Sequence, residues 1–126
     1  MTGMGLLALR LTVAVVMIAH GWPKLQDSKA TGEVWHNNWG FPRQTALFTG
    51  LVEVGGGAAL AAGVLSRWAA LLLLLNMLVA TYVAVGRIRE PFNSVQTKGW
   101  DINLLLLGAL LTLVLAGGGI WTFVGD

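Results

Sequence analysis

The sequence predicts an all-α membrane protein, a four-transmembrane-helix bundle with one long loop after the first helix and a medium loop after the third. The 126-residue chain is 56% hydrophobic and only 11% charged, far from the composition of an average soluble domain. Four apolar segments, roughly residues 5–20, 45–65, 67–86 and 101–118, each approach the ~20 residues that cross a bilayer. No strand-like alternation interrupts them, so we expect a single transmembrane domain over residues 1–126.

The first span, residues 5–20, carries Arg10 and ends in the stretch AHGWPKL. No positive charge precedes the apolar run, which favours a retained helix over a cleaved signal peptide. Gly21 can close this helix and Pro23 opposes its continuation. We therefore expect the helix to end here, with Trp22 at the membrane interface and Lys24 reaching toward water.

The second span carries Glu53 within a helix face of small residues. Residues on this face recur every three or four positions, at Ala46, Gly50, Glu53, Gly57 and Ala61, so Glu53 is expected to point into the bundle. An ionised group at mid-membrane costs ~2.5–3.5 kcal/mol, and Glu53 therefore needs a partner. Counted along the helices, its depth lies between Arg10 and His20. A structural ion pair with Arg10 and a proton-handling pair with His20 both remain open.

Two polar residues mark the later spans. Asn76 shares a helix face with Ala80 and Ala84 and is interpreted first as an interhelical hydrogen-bonding residue. Asp101 directly precedes the fourth apolar run and is a candidate N-cap. Topology also puts Asp101 on the membrane side of His20 and Lys24, so the sequence predicts that these polar groups meet at one mouth of the bundle, above Glu53.

The loops indicate an orientation. Basic residues concentrate in the two longer loops, whereas Arg67 stands alone in the short turn between the second and third spans. The positive-inside rule then puts the long loops in the cytoplasm and both termini outside. The loop residues counted are Lys24, Lys29, Arg43, Arg87, Arg89 and Lys98. The tryptophans fall near the span ends as interfacial belts, although the segment VWHNNWGFP, residues 34–42, could also form a short interfacial element or a lid.

Composition excludes several functions. The chain has no cysteine, so it cannot form disulfides, thiolate metal sites or iron–sulfur clusters by itself. A net charge of +2, scattered along the chain, gives no nucleic-acid patch. No second intramembrane histidine accompanies His20, so neither haem nor another metal is predicted.

Four features of the chain form a recognisable set: the motifs LRLTVAVVMIAHGWPKL and GLVEVGGGAALAAGVLSRWAALLL, an acidic residue that opens the last span, and the Gly-rich end AGGGIWTFVGD. Together they resemble the DoxX family of small four-helix membrane proteins. The residues that carry the resemblance are Arg10, His20, Gly21, Lys24, Glu53, Gly55, Gly56, Ser66 and Arg67. This chain departs from the family in having Asp101 where Glu is common, three glycines where Gly-Pro-Gly is common, and no histidine near the end of the third span. The resemblance implies a membrane partner of redox systems, as in the membrane subunit of a thiosulfate:quinone oxidoreductase or in oxidative-stress complexes.

These observations give one leading hypothesis and two alternatives. The leading hypothesis is a quinone-interacting or accessory subunit of a redox complex, in which His20, Lys24, Glu53 and Asp101 form a candidate quinone and proton site. Arg10, Glu53 and Asn76 are the structural polar residues inside the membrane. The alternatives are a non-enzymatic scaffold or assembly factor and a small proton-coupled exporter. We expect the protein to lie in the plasma membrane of a prokaryote, in contact with membrane lipid. We also expect it to self-associate or to join a larger membrane complex, and to bind a soluble or peripheral redox partner.

Overall fold

A computed structural model of the protein describes residues 2–89, 91–93 and 99–122. The predicted loop residue Lys98 and the last four residues of the motif AGGGIWTFVGD lie outside these ranges, as does the side chain of Arg87. Within the described ranges the fold is helical throughout. Its elements are α1 (Thr2–Gln26), α2 (Ser28–Trp39), α3 (Thr45–Ala62), α4 (Ser66–Tyr82), a π-helical turn (Val83–Ile88) and α5 (Asp101–Ala116).

Three of these helical stretches are long and apolar enough to cross a membrane, namely Thr2–Gln26, Thr45–Ala62 and Ser66–Gly86. The helix α5 is also apolar but has only 16 residues. Large apolar side chains point outward, with Phe48 at 68% and Leu105 at 74% exposure. Such a surface would be unfavourable in water, whereas lipid tails solvate it. This confirms a multi-pass membrane protein.

Four apolar helices form an antiparallel ring around an apolar core, namely α1, α3, α4 and α5. The helix α3 packs between α1 and α4, α5 packs between α4 and α1, and α1 and α4 lie diagonally opposite with little direct contact among the described residues. Side chains from all four helices meet in the centre, where Met17, Leu60, Leu73 and Leu110 are wholly buried. The short helix α2 contacts α3 and, more weakly, α1 at one end of the ring.

Glycines allow the closest helix approach, between α1 and α3. A Cβ on Gly21 would lie 2.7 Å from the Cβ of Glu53, and one on Gly57 would lie 3.2 Å from the carbonyl oxygen of Ala14. The predicted small face of α3 is confirmed at Ala46, Gly50, Glu53 and Gly57, all buried, whereas the predicted Ala61 is exposed and Leu60 takes the core position.

Two expectations about the connection after the first span were wrong. The helix α1 does not end at Gly21 or Pro23 but continues to Gln26, and Asp27 N–H donates to the carbonyl of Pro23 at 3.0 Å. The last turn of α1 is stabilised by contacts with α3, since Lys24 pairs with Glu53 and Leu25 packs on Gly50. These contacts offset the backbone hydrogen bond that proline removes.

The segment predicted as a long loop is largely helical. The helix α2 occupies Ser28–Trp39 and ends at Gly40, whose φ of 77° is the left-handed conformation that glycine accommodates. Only residues 40–44 separate α2 from α3. The possible interfacial element at residues 34–42 is therefore the second half of α2 and the turn that follows it.

Candidate functional site

A cavity of about 430 Å³ lies at the end of the bundle where α1 ends, α3 begins and α4 passes into the π-helical turn. This volume is within the ~300–1,000 Å³ typical of small-molecule sites. Polar groups from three helices and aromatic rings from the α2 region surround it. The lining residues are His20, Lys24, Trp35, Trp39, Phe41, Thr45, Thr49, Glu53, Asn76, Val79, Ala80, Val83, Ala84 and Ile88.

An ion pair between Lys24 Nζ and Glu53 Oε1 forms the most buried polar wall of the cavity. The Glu53 side chain is 4% exposed and the Lys24 side chain 21% exposed. A carboxylate this deeply buried needs a paired cation, because desolvation of an isolated charge costs several kcal/mol. The pair therefore holds Lys24 in the cavity wall and cancels the two charges.

This pair replaces both partners that the sequence left open for Glu53. Neither Arg10 nor His20 makes a salt bridge or hydrogen bond to Glu53 in the part of the chain that the structure describes. Sequence reasoning assigned Lys24 to the membrane interface because it assumed that α1 ends at Gly21. Since α1 continues for another turn, Lys24 instead faces α3.

His20 lines the cavity one turn below Lys24 on α1. Its Nδ1–H donates to the carbonyl oxygen of Val16 at 2.8 Å, because a carbonyl can only accept. This bond places the proton of the neutral ring on Nδ1 and leaves Nε2 as an acceptor. No described residue hydrogen-bonds to Nε2, so this nitrogen remains available to a ligand.

Aromatic side chains from α2 and the turn after it form one wall of the cavity. The Trp35 and Phe41 rings meet edge to face with centroids 6.5 Å apart, and the Trp39 ring is tilted against Phe41 at the same centroid distance. Lys24 Nζ lies 5.9 Å from the Trp35 ring centroid, a cation–π distance. The His36 ring donates to the carbonyl of Phe41 at 2.9 Å and fixes the turn.

The opposite wall comes from α4 and the π-helical turn. Asn76, Ala80 and Ala84, predicted to share one face, all line the cavity. The Nδ2 atom of Asn76 is buried and has no hydrogen-bond partner among the described residues. Within the described residues, the amide nitrogen of Asn76 therefore does not donate the interhelical hydrogen bond that the sequence suggested.

Asp101 does not belong to this cavity. Its carboxylate accepts the Ile102 N–H at 3.0 Å, and no described residue of α5 lines the cavity wall. The expected N-cap position is occupied by Trp100, so Asp101 is the first residue of the helix. A carboxylate in the first turn is still favoured by the helix dipole.

Arg10 lies toward the opposite end of the bundle. It is 1% exposed, and its Nη1 donates to the carbonyl oxygen of Trp121 at 3.2 Å. It also lies against Gly63, at the C-terminus of α3, where carbonyl oxygens and the helix dipole favour a cation. Arg10 thus ties the segment after α5 to the bundle, while its Nε is buried without a partner among the described residues.

Sequence reasoning missed several cavity residues, although signals for some were present. Thr45 and Thr49 precede Glu53 at intervals of four, which places all three on one face of α3, and all three line the cavity. No cluster of three or more His, Cys, Asp or Glu side chains suited to a metal ion occurs within the described residues.

Comparisons with known proteins give one match. Neither the curated proteins nor the solved structures contain a match to this chain. The sequence model of the DoxX family matches residues 5–86, well over half of the 126 residues and all of the helices that supply the cavity wall except the last part of the π-helical turn. The protein therefore belongs to the DoxX family.

Proposed function

We propose that this protein binds a membrane quinone in the cavity and acts as the membrane subunit or accessory subunit of a redox complex. One observation carries the proposal: the cavity combines a half-buried, ion-paired lysine and a histidine with a wall of aromatic rings. A ring with polar carbonyls and an apolar tail needs this combination of donors and apolar surface.

The residues fit a quinone head group in size and chemistry. The flat aromatic side chains of Trp35 and Trp39 provide surfaces on which a ring can stack. Lys24 can donate to a carbonyl oxygen while Glu53 neutralises and orients its ammonium group. His20 can exchange a proton through Nε2, because Nδ1 is already engaged. When bound, the quinone would supply the electron-accepting chemistry that the side chains lack.

The electrons must come from another protein. The chain has no cysteine to hold an iron–sulfur cluster, and the proposed site contains proton-handling groups without an electron carrier. We therefore infer a soluble or peripheral redox partner, recruited at the end of the bundle that carries α2 and the cavity. Self-association or a larger membrane complex agrees with the apolar outer surface, which can accept further helices.

We also propose the membrane arrangement that this function needs. The helix α5 serves as a fourth span, since its 16 residues rise ~24 Å at ~1.5 Å per residue and an apolar segment continues beyond it. The cavity end faces the cytoplasm of a prokaryotic cell, with both termini outside, because Arg67 is the only basic side chain in the opposite turn.

The test is quinone binding by the purified protein. Protein extracted from its native membrane is assayed for co-purified quinone, then titrated in lipid nanodiscs with decylubiquinone by tryptophan quenching. We expect saturable binding by the wild type, and weaker binding and lower quinone content for His20→Ala and Glu53→Gln. Asp101→Asn is the matched control, since Asp101 is a polar residue outside the cavity, and it should bind like the wild type.

The scaffold hypothesis predicts a different result. Quinone content and affinity would then be the same in the wild type, His20→Ala and Glu53→Gln, and that outcome would overturn the proposed function. Glu53→Gln would then weaken the folded bundle or its association with partners without any accompanying loss of quinone binding.

A further inference from the structure

Asn76 is an unsatisfied polar group in the middle of an apolar helix. It lies in α4 between leucine and methionine neighbours, and its Nδ2 is buried without a hydrogen-bond partner among the described residues. An unpaired buried donor costs ~1–3 kcal/mol, and the cost is no smaller where hydrocarbon rather than water surrounds the bundle. In the ligand-free protein, no hydrogen bond from this amide nitrogen to a described residue offsets that cost.

The position of Asn76 supplies a reason for it. The residue lines the cavity from α4, whereas His20 and Lys24 line it from α1, and these two helices lie diagonally opposite in the ring. The α4 wall is otherwise apolar beside Asn76, at Val79 and Ala80. The cavity thus carries hydrogen-bonding groups on two facing walls with apolar surface between them.

The charges on the lining indicate the kind of ligand that fits. Lys24 and Glu53 neutralise each other, and Asn76 is uncharged. A ligand with a charged head group would find no free counter-ion in this pair, because each charge already neutralises the other. Desolvation of the ligand's charge would then be costly. An uncharged head group with acceptor atoms on two opposite sides meets donors on both walls.

We propose that Asn76 is a ligand-binding residue that donates from Nδ2 to one acceptor oxygen of an uncharged ring, while the α1 wall binds the acceptor on the opposite side. This inference rests on the proposed function, because it assigns the second polar contact of the same site. The terminal torsion of asparagine is broad, so a turn of the amide brings Nδ2 to the cavity surface without moving α4. A 1,4-quinone, with carbonyls at opposite ends of its ring, has the required pattern.

The experiment compares two substitutions that change cavity volume in opposite directions. Asn76→Ala enlarges the cavity and Asn76→Leu reduces it, and both remove the amide. In nanodiscs titrated with decylubiquinone, we expect each variant to bind about fivefold more weakly than the wild type, the equivalent of about 1 kcal/mol for one neutral hydrogen bond. Asn103→Ala is the matched control, because Asn103 is also buried and unpartnered within the described residues but does not line the cavity. Its affinity should stay at the wild-type value.

A second measurement separates ligand binding from a structural role. In quinone-free protein, Asn76→Leu should melt at the same temperature as the wild type or higher, because an unpaired donor has been removed. A lower melting temperature, or wild-type affinity in both Asn76 variants, would overturn this inference while leaving the proposed function intact. Absence of saturable binding by the wild type would overturn the proposed function, and the role of Asn76 with it.

Discussion

Breaking the Lys24–Glu53 ion pair from its two sides should give unequal losses of stability. Lys24→Met leaves a carboxylate whose side chain is only 4% exposed, and an uncompensated buried charge costs about 3–5 kcal/mol. Glu53→Gln leaves a lysine that is 21% exposed and can extend toward water, while the amide oxygen still accepts a hydrogen bond. We expect a loss of about 1 kcal/mol from this change. The double variant Lys24→Met/Glu53→Gln buries no charge and should be more stable than Lys24→Met alone.

The assay is unfolding by sodium dodecyl sulfate in mixed micelles, followed by far-UV circular dichroism and by tryptophan fluorescence. Coincident transitions with both probes justify a two-state free energy. The four proteins then complete a double-mutant cycle that isolates the coupling between the two side chains. Equal losses for the two single variants, or a double variant whose loss equals their sum, would refute a buried and coupled pair.

Three further expectations follow from the packing and the topology. Gly57→Ala should destabilise the bundle, because the added Cβ would meet Ile18 and a backbone oxygen of α1. Gly55→Ala has no neighbour within 4 Å of its added Cβ, so it should be neutral or gain up to ~1 kcal/mol from helix propensity. Equal melting temperatures for the two variants would contradict the close approach of α1 and α3 at Gly57. Arg10→Met removes the hydrogen bond from the Arg10 side chain to the carbonyl of Trp121, in the segment after α5. Limited proteolysis should therefore cut that segment faster than in the wild type, and an unchanged rate would show that Arg10 does not hold it. A cysteine introduced at Asn37 should react with an impermeant maleimide only in inverted vesicles, whereas a cysteine introduced at Arg67 should react only in intact cells. The reverse pattern would contradict the proposed orientation.

The sequence predicted the helical membrane fold because the length of each apolar segment matches a membrane span. The spacing of small residues also marks the helix faces that pack against one another. The spacing of Gly50, Glu53 and Gly57 predicted the face of α3 that packs inward. The same reasoning missed α2, since its polar sequence has no apolar period and its position depends on contacts with α3. It also ended α1 at Gly21, because local helix-breaking tendencies were weighed without the tertiary contacts that extend the helix.

The candidate site was predicted in part. His20, Lys24 and Glu53 were expected together and line one cavity, because charge inside an apolar chain identifies residues that need an interior position. Asp101 was placed with them from membrane side alone, but no described residue of α5 lines the cavity, and which helices enclose a cavity follows from packing rather than from membrane side. The pairing of Glu53 with Lys24 was missed for the same reason as the length of α1.

The central claim is that the cavity beneath Trp35 and Trp39 holds a quinone ring between the Lys24 side and Asn76. It is tested most directly by a density map of the protein purified from its native membrane, with a bound antibody fragment to add mass for imaging. We predict density for a flat ring in the cavity, with one oxygen atom within hydrogen-bond distance of Lys24 Nζ and the other within hydrogen-bond distance of Asn76 Nδ2. Density for lipid tails or water alone in that space would contradict the account.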